Sequence, residues 1–391
     1  MKVKPADRTN SVQEYYFSKK LRQIDEMRKA GAEIISLGIG SPDQAPSPDT
    51  IKKLWEEASL PTAHGYQSYT GLPALRKAFA AWYQKYFRVS LDPEKEILPL
   101  MGSKEGIMHI SMAFVNPGDE VLVPNPGYPT YSSVTNLVGG KVRYYDLDEK
   151  NGWYPDLEAI EAEGLGKVKL MWVNYPHMPT GTKASSGLFA ELVRFASKHN
   201  ILLCNDNPYS FILNNDYLSV LEAEGAKEIA LELNSLSKSH NMAGWRIGMV
   251  AGHEEYIKEI LKVKSNMDSG MFRAMQAAAI EALHNPPEWY EEVNITYKKR
   301  RVIVEEIMDI LDCSYDKKQA GLFVWGRIPE GIKDCGAFVD EILEKAHVFV
   351  TPGFVFGSRG DRYIRISLCA DEKNLMEAKN RIENFISNKI K

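Results

Sequence analysis

Short, β-rich apolar runs recur between helix-length segments through the middle of the chain, and this alternation constrains the fold more than any other feature. The runs are Glu120 to Val123, Val168 to Val173, Ile201 to Cys204, Ile229 to Leu233 and Ile247 to Ala251, and Leu188 to His199 is one of the helical segments between them. Strands that are apolar throughout, rather than alternating, belong in a sheet covered on both faces, and parallel strands need a crossover helix between them. The pattern predicts an α/β core built on a mostly parallel central sheet.

From Asn285 the texture changes. N-P-P-E-W-Y opens a long charged amphipathic helix, expected from about Trp289 to Leu311, followed by strands at Leu322 to Gly326, Val348 to Val350 and Tyr363 to Ser367. Proline suits the first turn of a helix and breaks what precedes it, so a boundary belongs here. With 391 residues, the chain exceeds what one core ordinarily supports. The expected division is a large domain over 48–285 and a smaller α+β domain made of 1–47 and 286–391.

Charge narrows the function. Lys and Arg number 48 against 52 Asp and Glu, a net charge of −4, which argues against a nucleic-acid or anionic-membrane surface as the main partner. The four cysteines, Cys204, Cys313, Cys335 and Cys369, form no C-x-x-C pair, and the eight histidines show no metal-binding spacing. Neither a disulfide framework nor a metal is expected, and a reducing cytoplasm fits. The first residues lack the apolar core of a signal peptide, and no apolar run approaches membrane-spanning length. Small-molecule chemistry in the cytoplasm is the expectation.

Three places could carry that chemistry. Gly102 to Gly106, G-S-K-E-G, runs into residues that are apolar at helical spacing. Free N–H groups at such a helix start can cradle a phosphate, although Ser103 could equally be an ordinary cap. Asp206 and Tyr209, in D-N-P-Y, follow the apolar run I-L-L-C, which puts a carboxylate at the strand-end edge where open α/β sheets bind ligands. Lys238, in N-S-L-S-K, follows Ile229 to Leu233 in the same way, with Arg246 eight residues on. An amine desolvated at that edge among cations would have a lowered pKa and could attack an aldehyde.

S-L-S-K-S-H-N-M-A-G-W-R-I-G resembles the lysine signature of class I/II aminotransferases, enzymes of fold type I that bind pyridoxal phosphate (PLP). The resemblance extends over nearly the whole chain through L-G-I-G-S-P-D (37–43), Tyr66 to Arg76, N-P-G-D-E-V-L-V-P-N-P-G-Y (116–128), P-T-G (179–181), D-N-P-Y and R-I-S (365–367). It implies that Lys238 forms the internal aldimine and shuttles the Cα proton, that Asp206 pairs with the pyridine nitrogen, and that Tyr209 donates to the ring O3′. Tyr128 would stack on the ring. Gly102, Ser103, Lys104 through its backbone, Ser235, Ser237 and Arg246 would hold the phosphate. Arg365 and Gly40 would receive the substrate α-carboxylate, and a homodimer with shared sites would bring Tyr66 and Asn266 to the neighbouring subunit's site.

One position departs from the pattern. Where the family has an asparagine on O3′, this chain reads N-Y-P-H-M-P-T-G and places Met178, a poor acceptor and no donor. Asn174 and His177 are the side chains that could make up the loss. The expected activity is transfer of an amino group from an amino acid to a 2-oxo acid by a ping-pong PLP cycle. The motifs look most like the LL-diaminopimelate, aspartate and alanine aminotransferase branches. The same cofactor residues would also serve a C–S lyase or a non-catalytic PLP-binding regulator.

Overall fold

The computed structural model describes residues 3–12, 14 and 16–390. Its first eight strands are β1 (Ile35–Ser36), β2 (Ile97–Leu100), β3 (Glu120–Asn125), β4 (Lys141–Asp146), β5 (Val168–Val173), β6 (Leu202–Asp206), β7 (Ala230–Ser235) and β8 (Gly248–Gly252). Seven of them form one sheet in the order β2-β8-β7-β6-β5-β3-β4. β4, β3, β5, β6 and β7 pair in parallel, while β8 runs antiparallel to both of its neighbours, β7 and β2. The mostly parallel α/β sheet expected from the apolar runs is present.

The run at Ile247 to Ala251 therefore corrects one expectation, because it was read with the parallel set. Residues 236–247 fold only into a four-residue helix and a three-residue 3-10 turn. Neither is long enough to carry the chain back across the sheet, so it re-enters beside β7 in the opposite direction. β2 and β4 are strands that the apolar pattern does not reveal. Both lie on sheet edges, where a strand tolerates Pro99 in the one case and half-exposed polar residues in the other.

Alternate residues of the central strands feed two cores. Met171, Val173 and Leu203 pack with Leu188, Leu192 and Val193 of the helix Ser186–His199, whereas Leu170, Trp172 and Cys204 pack with Ile107 and Ile110 of the helix Ser103–Phe114. Burial on both faces is why these strands are apolar throughout.

The remaining strands are β9 (Ser314–Tyr315), β10 (Phe323–Arg327), β11 (Val348–Phe349), β12 (Thr351–Pro352) and β13 (Tyr363–Ser367). A four-stranded antiparallel sheet, β12-β13-β10-β9, and the parallel pair β1-β11 share a third core. Val304 and Ile307 of the helix Pro287–Ile310 enter it, with Phe338 and Ile342 of Cys335–Ala346 and Leu375 and Ile382 of Glu372–Ile390. Phe17, Ile24, Ile34 and Leu37 join the same core from the N-terminal stretch. The long helix begins with Pro287 in its first turn, where the missing N–H costs nothing. Among the described residues no helix is long and apolar enough to cross a membrane.

Candidate active site

A cavity of about 690 Å³ lies outside the carboxyl ends of β6 and β7 and is lined on its other side by residues of the third core. Its wall brings together Gly40, Ser103, Lys104, Tyr128, Asn174, Asp206, Tyr209, Ser235, Ser237, Lys238, Arg246 and Arg365, residues spread over most of the chain.

Lys238 sits in the short helix Leu236–Ser239 that caps the end of β7. Its Nζ donates to the Gly40 carbonyl at 2.5 Å. Burial lowers its pKa; the nearby Cys369 opposes this, and the cations Arg365 and Arg246 reinforce it. An amine held in this way spends more of its time unprotonated, which a nucleophile requires.

Asp206 is the last residue of β6 and is buried. Tyr131 donates to its Oδ2 at 3.0 Å, and its Oδ1 has no hydrogen-bond partner. Burial pushes the carboxyl up to about 6, against the pull of the Tyr131 hydroxyl and of Ser103. Ser103 Oγ makes no hydrogen bond of ordinary geometry, yet its dipole is close enough to favour the charged form. Sequence reasoning missed Tyr131. It follows Tyr128 by three residues in the helix Pro129–Leu137 and stacks on Trp172 with centroids 5.0 Å apart, so in sequence it reads as core. Tyr128 meets the Tyr131 ring edge-on at 5.6 Å.

The helix Ser103–Phe114 is preceded by Gly102 at φ 85°, and no side chain caps it. The ordinary cap by Ser103 is therefore not what the structure holds. A Cβ at Gly102 would lie 2.4 Å from Nη2 of Arg246, so the glycine lets the guanidinium sit against this helix start. Arg246 itself donates from Nη1 to the Ala243 carbonyl at 2.8 Å. Ser235 and Ser237 are buried at the end of β7.

Arg365 lies mid-strand in β13 and is only 4% exposed. Its guanidinium carbon stands 3.7 Å from the centroid of Phe323 and 4.5 Å from that of Phe356. Nη2 donates to the Gly38 carbonyl at 2.9 Å and Nη1 to the sulfur of Met178 at 3.2 Å. Met178 is thus in the wall as expected, but its sulfur serves the arginine. Asn174 also lines the cavity, with its amide donating to the Asp206 carbonyl and its Oδ1 accepting from Met178 N at 2.8 Å. His177 is outside the wall. It is buried against Thr180 with its pKa pushed down to about 3 by burial, and it makes no compensation for Met178. Tyr209 packs edge-on against Phe323, and burial raises its phenol well above the usual range.

Two expected residues are not brought into this cavity. Tyr66 is 93% exposed, and Asn266 is exposed with its amide on the Lys262 carbonyl at 2.8 Å. Among the described residues one trio, Glu105, His109 and Asp268, brings possible metal-ligand atoms within 4.8 Å of one another. There Asp268 is already held by the buried Lys264 ammonium at 2.7 Å.

The arrangement suits the PLP that the resemblance implies. A buried carboxylate oxygen without a partner calls for a cationic N–H, which a protonated ring nitrogen offers, and the helix start at Gly102 with the Arg246 guanidinium against it suits an anionic group. The comparisons agree. The family model "Aminotransferase class I and II" matches residues 32–382. The chain is 42% identical to an LL-diaminopimelate aminotransferase of Moorella thermoacetica, over 98% of this chain and 99% of the relative, and 43% identical to that of Maridesulfovibrio salexigens, over 98% and 99%. Among solved structures, apo BacF from Bacillus subtilis superposes with a TM-score of 0.94 at 38% identity, covering 98% of both chains. A Thermus thermophilus aspartate aminotransferase mutant gives 0.91 at 25% identity, over 98% of this chain and all of the other. The chain belongs to the class I and II aminotransferases, enzymes that depend on pyridoxal phosphate.

Proposed function

We propose that this aminotransferase exchanges the amino group of LL-diaminopimelate with a 2-oxo acid, using Lys238, Asp206 and Arg365 as its central residues. The observation that carries the residue assignment is their convergence: a buried amine, a buried carboxylate and a buried guanidinium line one cavity. The full-length relatives at 42% and 43% identity, named for this substrate, support the choice of donor over aspartate and alanine.

PLP, when bound, supplies an aldehyde for amines and a ring that accepts the electron pair left at Cα. Ser103, Ser235, Ser237, Arg246 and the Lys104 backbone would hold its phosphate, with Gly102 letting Arg246 reach the helix start, and Tyr128 would stack on the ring. The Asp206 carboxylate keeps a proton on the ring nitrogen, and its negative charge deepens the electron sink. The Tyr209 hydroxyl donates to the ring oxygen, with Asn174 holding the strand end beneath. Arg365 would take the substrate carboxylate beside Gly40, where the absence of a Cβ lets the Phe323 ring that packs on the arginine come close: a Cβ there would lie 2.2 Å from it. Lys238 Nζ would take the proton from the substrate Cα and hold it for return. In the second half-reaction the oxo acid binds to the same arginine and the proton travels back.

A donor screen tests the assignment. LL-diaminopimelate should convert the cofactor to its amine form at least about tenfold faster than aspartate or alanine, a difference worth roughly 1.4 kcal/mol. Faster conversion by aspartate or alanine, or release of ammonia as a lyase would give, rejects it.

The same reading makes the enzyme a cytoplasmic homodimer, with 48–285 as the cofactor-binding unit and 1–47 with 286–391 as the second. The grouping of the cores supports that division. Tyr66 at 93%, Trp55 at 71% and Met267 at 58% exposure are apolar side chains of the kind that a second copy would cover. Tyr66 and Asn266 then belong to the neighbouring site. Sedimentation should give twice the chain mass at micromolar concentration, and a fully active monomer would refute the assembly.

A further inference from the structure

The Arg365 guanidinium lies against aromatic rings and donates to two acceptors. Its carbon stands 3.7 and 4.5 Å from the centroids of Phe323 and Phe356, which limit its displacement. Its orientation is further set by what its N–H groups donate to. At one edge the Gly38 carbonyl accepts from Nη2 at 2.9 Å, and at the other the sulfur of Met178 accepts from Nη1 at 3.2 Å. Met178 is 7% exposed and lines the cavity, so this contact is made at the site itself.

The chemistry of the acceptor matters. A thioether accepts weakly, donates nothing and carries no charge. It can hold an arginine at a chosen angle without neutralising it. A carboxylate in the same place would form an ion pair and compete with the substrate for the cation, whereas a purely aliphatic side chain would fill the space and remove the sulfur acceptor.

We propose that Met178 is a positioning residue for Arg365, its sulfur setting the in-plane orientation in which the guanidinium meets the α-carboxylate of amino donor and oxo acceptor alike. Misorientation of a bidentate anchor weakens both substrates together, because both present the same carboxylate. The inference rests on reading Arg365 as the carboxylate anchor.

The test compares Met178→Leu with Met178→Gln in the cofactor-loaded enzyme. Calorimetry gives the Kd of an unreactive carboxylate, glutarate, and steady-state kinetics give KM and kcat for both substrates. Leu keeps the apolar volume and loses the acceptor. It should raise the glutarate Kd and both KM values about three- to tenfold, the worth of one modest hydrogen bond, with kcat within about twofold. Gln, of similar length and with an acceptor restored, should stay within about twofold of the parent. A purely space-filling role reverses the ranking, since Leu would be tolerated and Gln would bury an amide. That reversal, equal losses in both variants, or an unchanged Kd in Met178→Leu overturns the proposal. Arg365→Lys separates the two levels. If it leaves the glutarate Kd unchanged, the anchor assignment is what fails; if it weakens binding while Met178→Leu does not, only the role of Met178 falls.

Discussion

Lys238→Ala is expected to lower the rate of amino transfer by at least about 10⁴-fold, because one substitution removes both the anchoring amine and the group that moves the Cα proton. The fold should survive it. Lys238 sits at the cavity wall, its one hydrogen bond goes to the Gly40 carbonyl, and its neighbours Leu236, Ser237 and Ser239 are buried independently of its side chain. A denaturation midpoint close to that of the parent, alongside the lost activity, would mark the loss as chemical. Small primary amines added to the variant should recover part of the rate, since an amine that diffuses in can accept and return the same proton; recovery should rise with pH as more of the added amine is unprotonated.

Asp206→Asn should cost about 10²- to 10³-fold in kcat, the range seen when one preorganised electrostatic partner is removed. Its effect on stability has the opposite sign. Without cofactor, burial lifts the Asp206 carboxyl from 3.8 to about 6. Between those values the folded chain keeps a proton that the unfolded chain has released, so stability falls as pH rises through that window. Below it the two states are protonated alike and the residue contributes nothing. Above about pH 6 the whole penalty applies, of order 3 kcal/mol for a shift of about two units. The asparagine variant without cofactor should therefore be more stable than the parent at pH 8 by up to that amount and equal to it near pH 3. Loading with PLP should reverse the order, because the ring cation repays the parent's charge and not the amide. Melting curves of loaded and unloaded protein at the two pH values measure all four terms.

What the chain discloses before folding follows from what each residue pays for its place. β3, β5, β6 and β7 are readable because strands buried on both faces must be apolar throughout. β2 and β4 are not, since an edge strand pays little for a proline or for lysine and arginine. The direction of β8 is not carried by its own residues, because an apolar run looks the same read either way; only the short connection over 236–247 sets it. Asp206 and Lys238 could be picked out as polar residues placed directly after buried runs. Arg365, by contrast, reads as a surface arginine in a strand, and only the resemblance marks it. Its burial depends on Phe323 and Phe356, and its bond to Met178 joins positions 187 residues apart. Tyr131 was missed because its ring is core and its hydroxyl is site, and no local pattern separates the two. Tyr66 and Asn266 stand outside the single-chain cavity.

The central claim is that the Lys238 amine carries the cofactor. Purified, PLP-loaded protein should be reduced with borohydride, digested and mapped by mass spectrometry. The account predicts a pyridoxyl phosphate adduct on the peptide containing Lys238, at near one per chain, and none in Lys238→Ala. An adduct on another lysine, or no adduct on a protein that still transfers amino groups, would contradict it.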